Sequence, residues 1–191
     1  SPEFATRLGA AYGSMFKKGA KVVVISTRSN SSRMFKHAFI SGMLSVGVEV
    51  FNLSSMLTPI SRHAISFLSV EGGIHIKLSG DNPNKLKVDF MDSKGASISR
   101  ELERKIENAF FREDFKRCSG DEISRLNNIT DFKNYYVRSV LNDIDVNKIK
   151  EKSPKINIVS PSDFVISLVV AMLSDAGCKV VNFSYANQDN L

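Results

Sequence analysis

Apolar positions along this chain follow two alternating rhythms. Lys21–Ser26 (K-V-V-V-I-S) and residues 48–53 are short apolar runs, and between them Met34, Phe35, Ala38, Phe39, Gly42, Met43 and Val46 return at helical spacing. Strand, helix and strand are predicted in that order, with Gly47 ending the helix and a further helix over residues 6–17 preceding the unit. After Thr58-Pro59 a helix is predicted over 60–68, with Gly72-Gly73 beyond its end. Ile74, Ile76 and Leu78 then alternate with His75 and Lys77, and Leu86, Val88 and Phe90 alternate with Lys85, Lys87 and Asp89. Period-two runs on both sides of Gly80-Asp81-Asn82-Pro83 predict an antiparallel hairpin with one buried face and a solvated face carrying His75, Lys77 and Lys87.

Asp92 to Gly95 reads as a turn, and Ser99 reads as the cap of a helix with Leu102, Ile106, Ala109 and Phe110 as its stripe. A first domain over 5–111 is therefore expected. Residues 112–154 are mostly polar with helical patches and read as a helical connector. From Lys155 the strand, helix, strand pattern restarts over 155–191, the start of a second, similar domain that two strands are too few to complete. The fold class predicted is α/β: a three-layer αβα domain on a mixed sheet, then the beginning of another.

Composition narrows the function. The two cysteines, Cys118 and Cys178, have no His or Cys at metal spacing, so neither a disulfide framework nor a zinc site is indicated. A reducing, cytoplasmic setting is expected. No run approaches the roughly 18 apolar residues of a spanning helix, so no membrane partner is expected. Residues 1–4 (S-P-E-F) read as a cloning scar and are set aside from fold reasoning. The net charge of +6 is concentrated early, with nine Lys or Arg against three acids in residues 1–80 and seventeen against seventeen afterwards. That field suits phosphorylated ligands. No arginine-rich tract or aromatic-interleaved basic strand is present, so nucleic acid is not an expected partner. Ser-His-Asp order, H-E-x-x-H, P-loop and G-x-G-x-x-G motifs are all missing.

The runs V-V-V-I-S-T-R-S-N-S-S, T-P, G-G-I-H-I-K-L-S-G-D-N-P and L-K-V-D-F-M-D-S-K-G-A-S-I-S, in that order, carry a resemblance. The chain resembles the N-terminal part of the α-D-phosphohexomutases, the phosphoglucomutase and phosphomannomutase superfamily. The stretch F-F-R-E-D-F-K-R, residues 110–117, is similar to fusions in which a sugar-1-phosphate nucleotidyltransferase precedes a mutase-like region. The resemblance implies transfer of a phosphoryl group between two positions of a hexose. It also implies a phosphoserine in a T-A-S-H-N-P loop and Mg²⁺ bridging that group to a later D-G-D loop.

Aligned on Asn82-Pro83, Gly80 falls where that serine is expected and Asp81 where its histidine is. Glycine has no oxygen to phosphorylate. Ser79 is the alternative nucleophile if the loop holds one extra residue, and only a phosphorylated Ser79 would bind the metal. The site residues implied are Ser79 for catalysis and Arg28, Lys77, Asp81 and Asn82 for phosphate. Ser26 stands where an aspartate is usual, and Arg28 with Ser29 to Ser32 reads either as a phosphate cradle or as a helix cap. The leading expectation is a catalytically degenerate phosphohexomutase-like domain with a structural, regulatory or hexose-phosphate-binding role beside a linked nucleotidyltransferase, with homo-oligomerisation open. An active mutase using Ser79 in a longer protein is the alternative.

Overall fold

The computed structural model describes residues 1–82, 84–160 and 162–184. Two compact units divide at Phe132. The first is built on a five-stranded sheet in the order β4-β3-β1-β2-β5, from β1 (Lys21–Ser26), β2 (Glu49–Leu53), β3 (Gly72–Leu78), β4 (Leu86–Asp92) and β5 (Leu126–Ile129). β1 pairs in parallel with β2 and β3, β2 with β5 in parallel, and β4 closes on β3 antiparallel from Gly72↔Asp92 to Leu78↔Leu86. The predicted mixed sheet and hairpin are both present.

Side chains alternate across the sheet, so each face acquires its own cover. Val22, Val24, Val50, Ile74 and Ile76 pack with α1 (Pro2–Gly13), α2 (Asn30–Leu44) and α4 (Arg100–Arg112), whose Tyr12, Phe39, Met43 and Ile106 complete one core. The opposite face lies under α3 (Thr58–Phe67), which buries Ile60, Ala64 and Ile65. Helices on both faces make the three layers. α1 and α2 approach closely because Gly9 and Gly42 lack side chains: a Cβ at Gly9 would strike the Phe39 carbonyl, and one at Gly42 the Thr6 carbonyl.

Three expectations are corrected. Residues 1–4 are part of the fold: Ser1 Oγ caps α1 by accepting from Phe4 N–H at 3.4 Å, Pro2 occupies a first-turn position, and Phe4 packs against Phe35 and Phe110. The helix therefore starts and ends earlier than the 6–17 read from apolar spacing. The connector 112–154 contains a strand of the first sheet, so the first unit runs past 111. With only L-N-N-I, β5 is too short and polar to show a strand rhythm; it is held by ladder bonds and by Asn127 Nδ2 donating to Glu49 Oε1 at 2.7 Å. Its polar side chains suit an edge. Finally, His75 is not on a solvated face. β3 lies between two strands and under α3, so both of its faces are covered, and His75 is 1% exposed.

The second unit, from Lys133, holds the rest of α5 (Phe132–Asn142), then α6 (Val146–Lys152), β6 (Lys155–Ser160), α7 (Asp163–Asp175) and β7 (Lys179–Ser184). β6 and β7 pair in parallel as the predicted strand, helix, strand repeat.

Candidate functional site

The chain leaves β1 to one side through α2 and β2, then returns through α3 to place β3 on the other side of β1. This reversal of strand order makes the carboxyl ends of β1 and β3 a topological switch point, the place where open α/β sheets bind ligands. Two loops border it: residues 27–29 after β1 and residues 79–85 after β3. Thr27 N–H donates to the Ile76 carbonyl at 2.9 Å, carrying the β1–β3 pairing to the loop bases.

In the first loop Ser29 caps α2, its Oγ accepting from Ser32 N–H at 3.2 Å. Thr27 and Ser29 hydroxyls both donate to the buried Ser32 Oγ, at 3.0 and 2.7 Å. The cap reading of this segment is thus realised. Arg28 is exposed between these two hydroxyls. Ser26, at the position where the resemblance expects an aspartate, is fully buried, and its Oγ has no hydrogen-bond partner among the described residues.

The second loop separates the two serine candidates. Ser79 N–H donates to the Lys85 carbonyl at 2.8 Å, so Ser79 is the last rung of the hairpin ladder and is half-buried. Gly80 begins the tip and is exposed; a Cβ built there meets nothing within 4 Å, and its φ lies outside the left-handed region. Nothing in the fold demands glycine at this position. Asn82 shapes the return, accepting from Lys85 N–H at its carbonyl (3.0 Å) and from Asn84 N–H at Oδ1 (2.8 Å). Asp81 is exposed beside it, and Pro83, which anchored the motif, lies outside the described residues.

Lys77, expected to face phosphate, pairs with Asp89 Oδ2 at 2.6 Å, and Lys87 approaches Oδ1 of the same carboxylate at 3.7 Å. His75 Nδ1 lies 3.1 Å from Thr58 Oγ1 at the start of α3. Burial, then the Lys77 charge, lowers the His75 pKa below its ordinary 6.5 despite Asp89, so the ring is held neutral. The sequence reading missed Asp89 and the Thr58 hydroxyl. The hairpin register holds the signal for Asp89: pairing Lys77 with Lys87 places Asp89 diagonally across from Lys77.

Mg²⁺ takes about six oxygen ligands in a near-octahedral shell. Among the described residues no three His, Cys, Asp or Glu side chains gather, and the loop offers one carboxylate, Asp81, beside Ser79 and Asn82. The described residues alone do not furnish the ligand set of a resident ion.

Residues 1–117 match the α/β/α domain I of the phosphoglucomutase/phosphomannomutase family. The chain belongs to this family. Among curated relatives of this phosphohexomutase-like chain, a phosphoglucomutase/phosphomannomutase of Thermococcus kodakarensis is 33% identical over 95% of the chain and 41% of its own length. A phosphoglucosamine/phosphogalactosamine mutase of Sulfurisphaera tokodaii is 32% identical over 94% of the chain and 40% of its length. The chain thus spans about two fifths of these relatives. Among solved structures, a family protein from Burkholderia thailandensis superposes with a TM-score of 0.74 at 20% identity, covering 96% of this chain and 40% of that one. A protein provisionally described as a phosphomannomutase from Thermus thermophilus gives 0.78 at 22%, covering 96% and 42%. These two likenesses concern the fold.

Proposed function

We propose that this phosphohexomutase-like domain binds a hexose phosphate at the β1/β3 switch point without accepting a phosphoryl group itself, in a sugar-phosphate metabolism protein that also carries a nucleotidyltransferase. The observation that carries the reading is the loop tip. The position aligned with the family's serine is Gly80, on an open turn, while the neighbouring Ser79 is half-buried at the foot of the hairpin with its backbone N–H held by the Lys85 carbonyl. A transferable phosphoryl group needs an oxygen nucleophile free to reach an in-line donor. Arg28 and the first-turn N–H groups of α2 supply charge and donors suited to a phosphate. The linked nucleotidyltransferase rests on the resemblance of residues 110–117. Mg²⁺, the family's expected ion, would enter only with ligands from elsewhere in a longer protein.

The test is calorimetric titration of the full-length protein with glucose 1-phosphate and mannose 1-phosphate. Binding of at least one is expected, weakened about tenfold in Arg28→Ala, the scale of one charge-assisted hydrogen bond. No heat with either sugar, or unchanged affinity in Arg28→Ala, would remove the switch point as the site.

A further inference from the structure

We infer that Lys36 is the buried counter-charge of a phosphate group seated at the start of α2, which rests on the reading of this end of the sheet as a phosphate site and adds the side chain that balances the charge. Ser29, Ser32 and Lys36 are three and four residues apart and so share one side of α2. Lys36 is only 5% exposed, and lysine is almost never buried unless paired. Long helical side chains lean toward the amino terminus of their helix. Lys36 Nζ accordingly reaches the carboxyl end of β2 and donates to the Leu53 carbonyl at 3.1 Å. That is one acceptor for three N–H donors, and no carboxylate pairs with the ammonium among the described residues. Burial, then the Arg33 charge, lowers the Lys36 pKa below the ordinary lysine value, and no acid offsets them.

The strands beneath carry polar groups toward the same layer. Val24 and Val50 pack in the core shared with α2, and alternation turns Ser26 and Asn52, each two residues on, to that side. Ser26 is fully buried with its Oγ unpartnered, and the buried Oδ1 of Asn52 also has no partner among the described residues. The first turn of α2 contains no acidic residue. Its Asn30 and Ser31 N–H groups, on exposed residues, have no acceptor among the described residues. A cation, a helix amino terminus and a set of hydroxyls therefore meet at one place with nothing negative to balance them.

A buried charge is costly while it stays unpaired. A phosphate at the helix start would accept from the free N–H groups and place its charge above the ammonium. Lys36 is in this sense a positioning residue, acting from beneath the first turn while Asn30 and Ser31 make the contact. A carboxylate at position 26 would meet the same need from within the protein, whereas the serine there leaves it to a ligand.

The probe is inorganic phosphate, followed through the Asn30 and Ser31 amide resonances of the 191-residue chain, with glucose 1-phosphate titrated in parallel. Saturable shifts at both amides are expected. Lys36→Met, which keeps the buried volume filled, and Ser26→Asp should each weaken phosphate about tenfold, while Ser26→Asn stays within about twofold of the parent. In the unsubstituted chain the Lys36 Cε resonance should titrate at higher pH when phosphate is saturating, a coupling that a packing role does not produce. No saturation at tens of millimolar phosphate, unchanged affinity in Lys36→Met or Ser26→Asp, an equal loss in Ser26→Asn, or a Lys36 titration unmoved by phosphate would each overturn the assignment. Binding of phosphate without glucose 1-phosphate would uphold it and remove the hexose phosphate reading instead.

Discussion

Gly80 and Ser79 are neighbours in sequence with different obligations in the fold. Glycine is usually kept where φ is positive or a neighbour presses close, and neither holds at Gly80. Gly80→Ala and Gly80→Ser should each change stability by less than about 0.5 kcal/mol, the range of unconstrained surface sites. Chemical denaturation measures this, and a large loss would reveal a backbone demand absent from the structure. His75 makes the opposite case, a titratable group the fold holds neutral. Its folded pKa lies below the ordinary 6.5 because of burial and Lys77, so below pH 6.5 the unfolded chain takes up a proton that the folded chain refuses. Stability contributed here is complete above that pH and is lost as pH falls toward the folded pKa. Urea midpoints at pH 7.5 and 5.5 should fall less in His75→Gln than in the parent. An equal fall would assign the acid sensitivity elsewhere.

At the scale of elements, periodicity revealed most of what mattered. β4, α2 and α4 were legible because each buries one stripe against a single partner layer, and β1 and β3 because a short apolar or alternating run marks a strand whether one face is covered or both. The elements that were missed lack such a stripe. β5 contributes four residues to a polar edge, and the start of α1 depends on a cap and on aromatic contacts made by a tetrapeptide that looks foreign to the fold. The error at His75 has another origin: alternation identified the two faces of β3 correctly, but only topology reveals that α3 covers the second one. The tight α1–α2 contact also rests on a feature that periodicity does not weigh, glycine at Gly9 and Gly42. Gly42→Ala should cost about 1–3 kcal/mol, the usual penalty of overpacking, because the obstructing Thr6 carbonyl is backbone and cannot swing aside. Thermal denaturation of Gly42→Ala beside Gly80→Ala compares an occupied position with an open one, and equal melting temperatures would contradict the packing described.

Across the whole molecule, the fold and the place of the site follow from one reversal of strand order. That reversal brings the loops holding Arg28 and Gly80 to the same end of the sheet although about fifty residues separate them. Sequence motifs flagged both loops, yet their convergence became visible only with the strand order. The chain carries domain I of the phosphoglucomutase/phosphomannomutase family, and the function proposed for it requires that the loop after β3 accept no phosphoryl group. The most direct measurement is intact-protein mass spectrometry with peptide mapping of the full-length protein after incubation with glucose 1,6-bisphosphate. The account predicts an unmodified peptide spanning residues 78–85, and a phosphoryl group on Ser79 would contradict it.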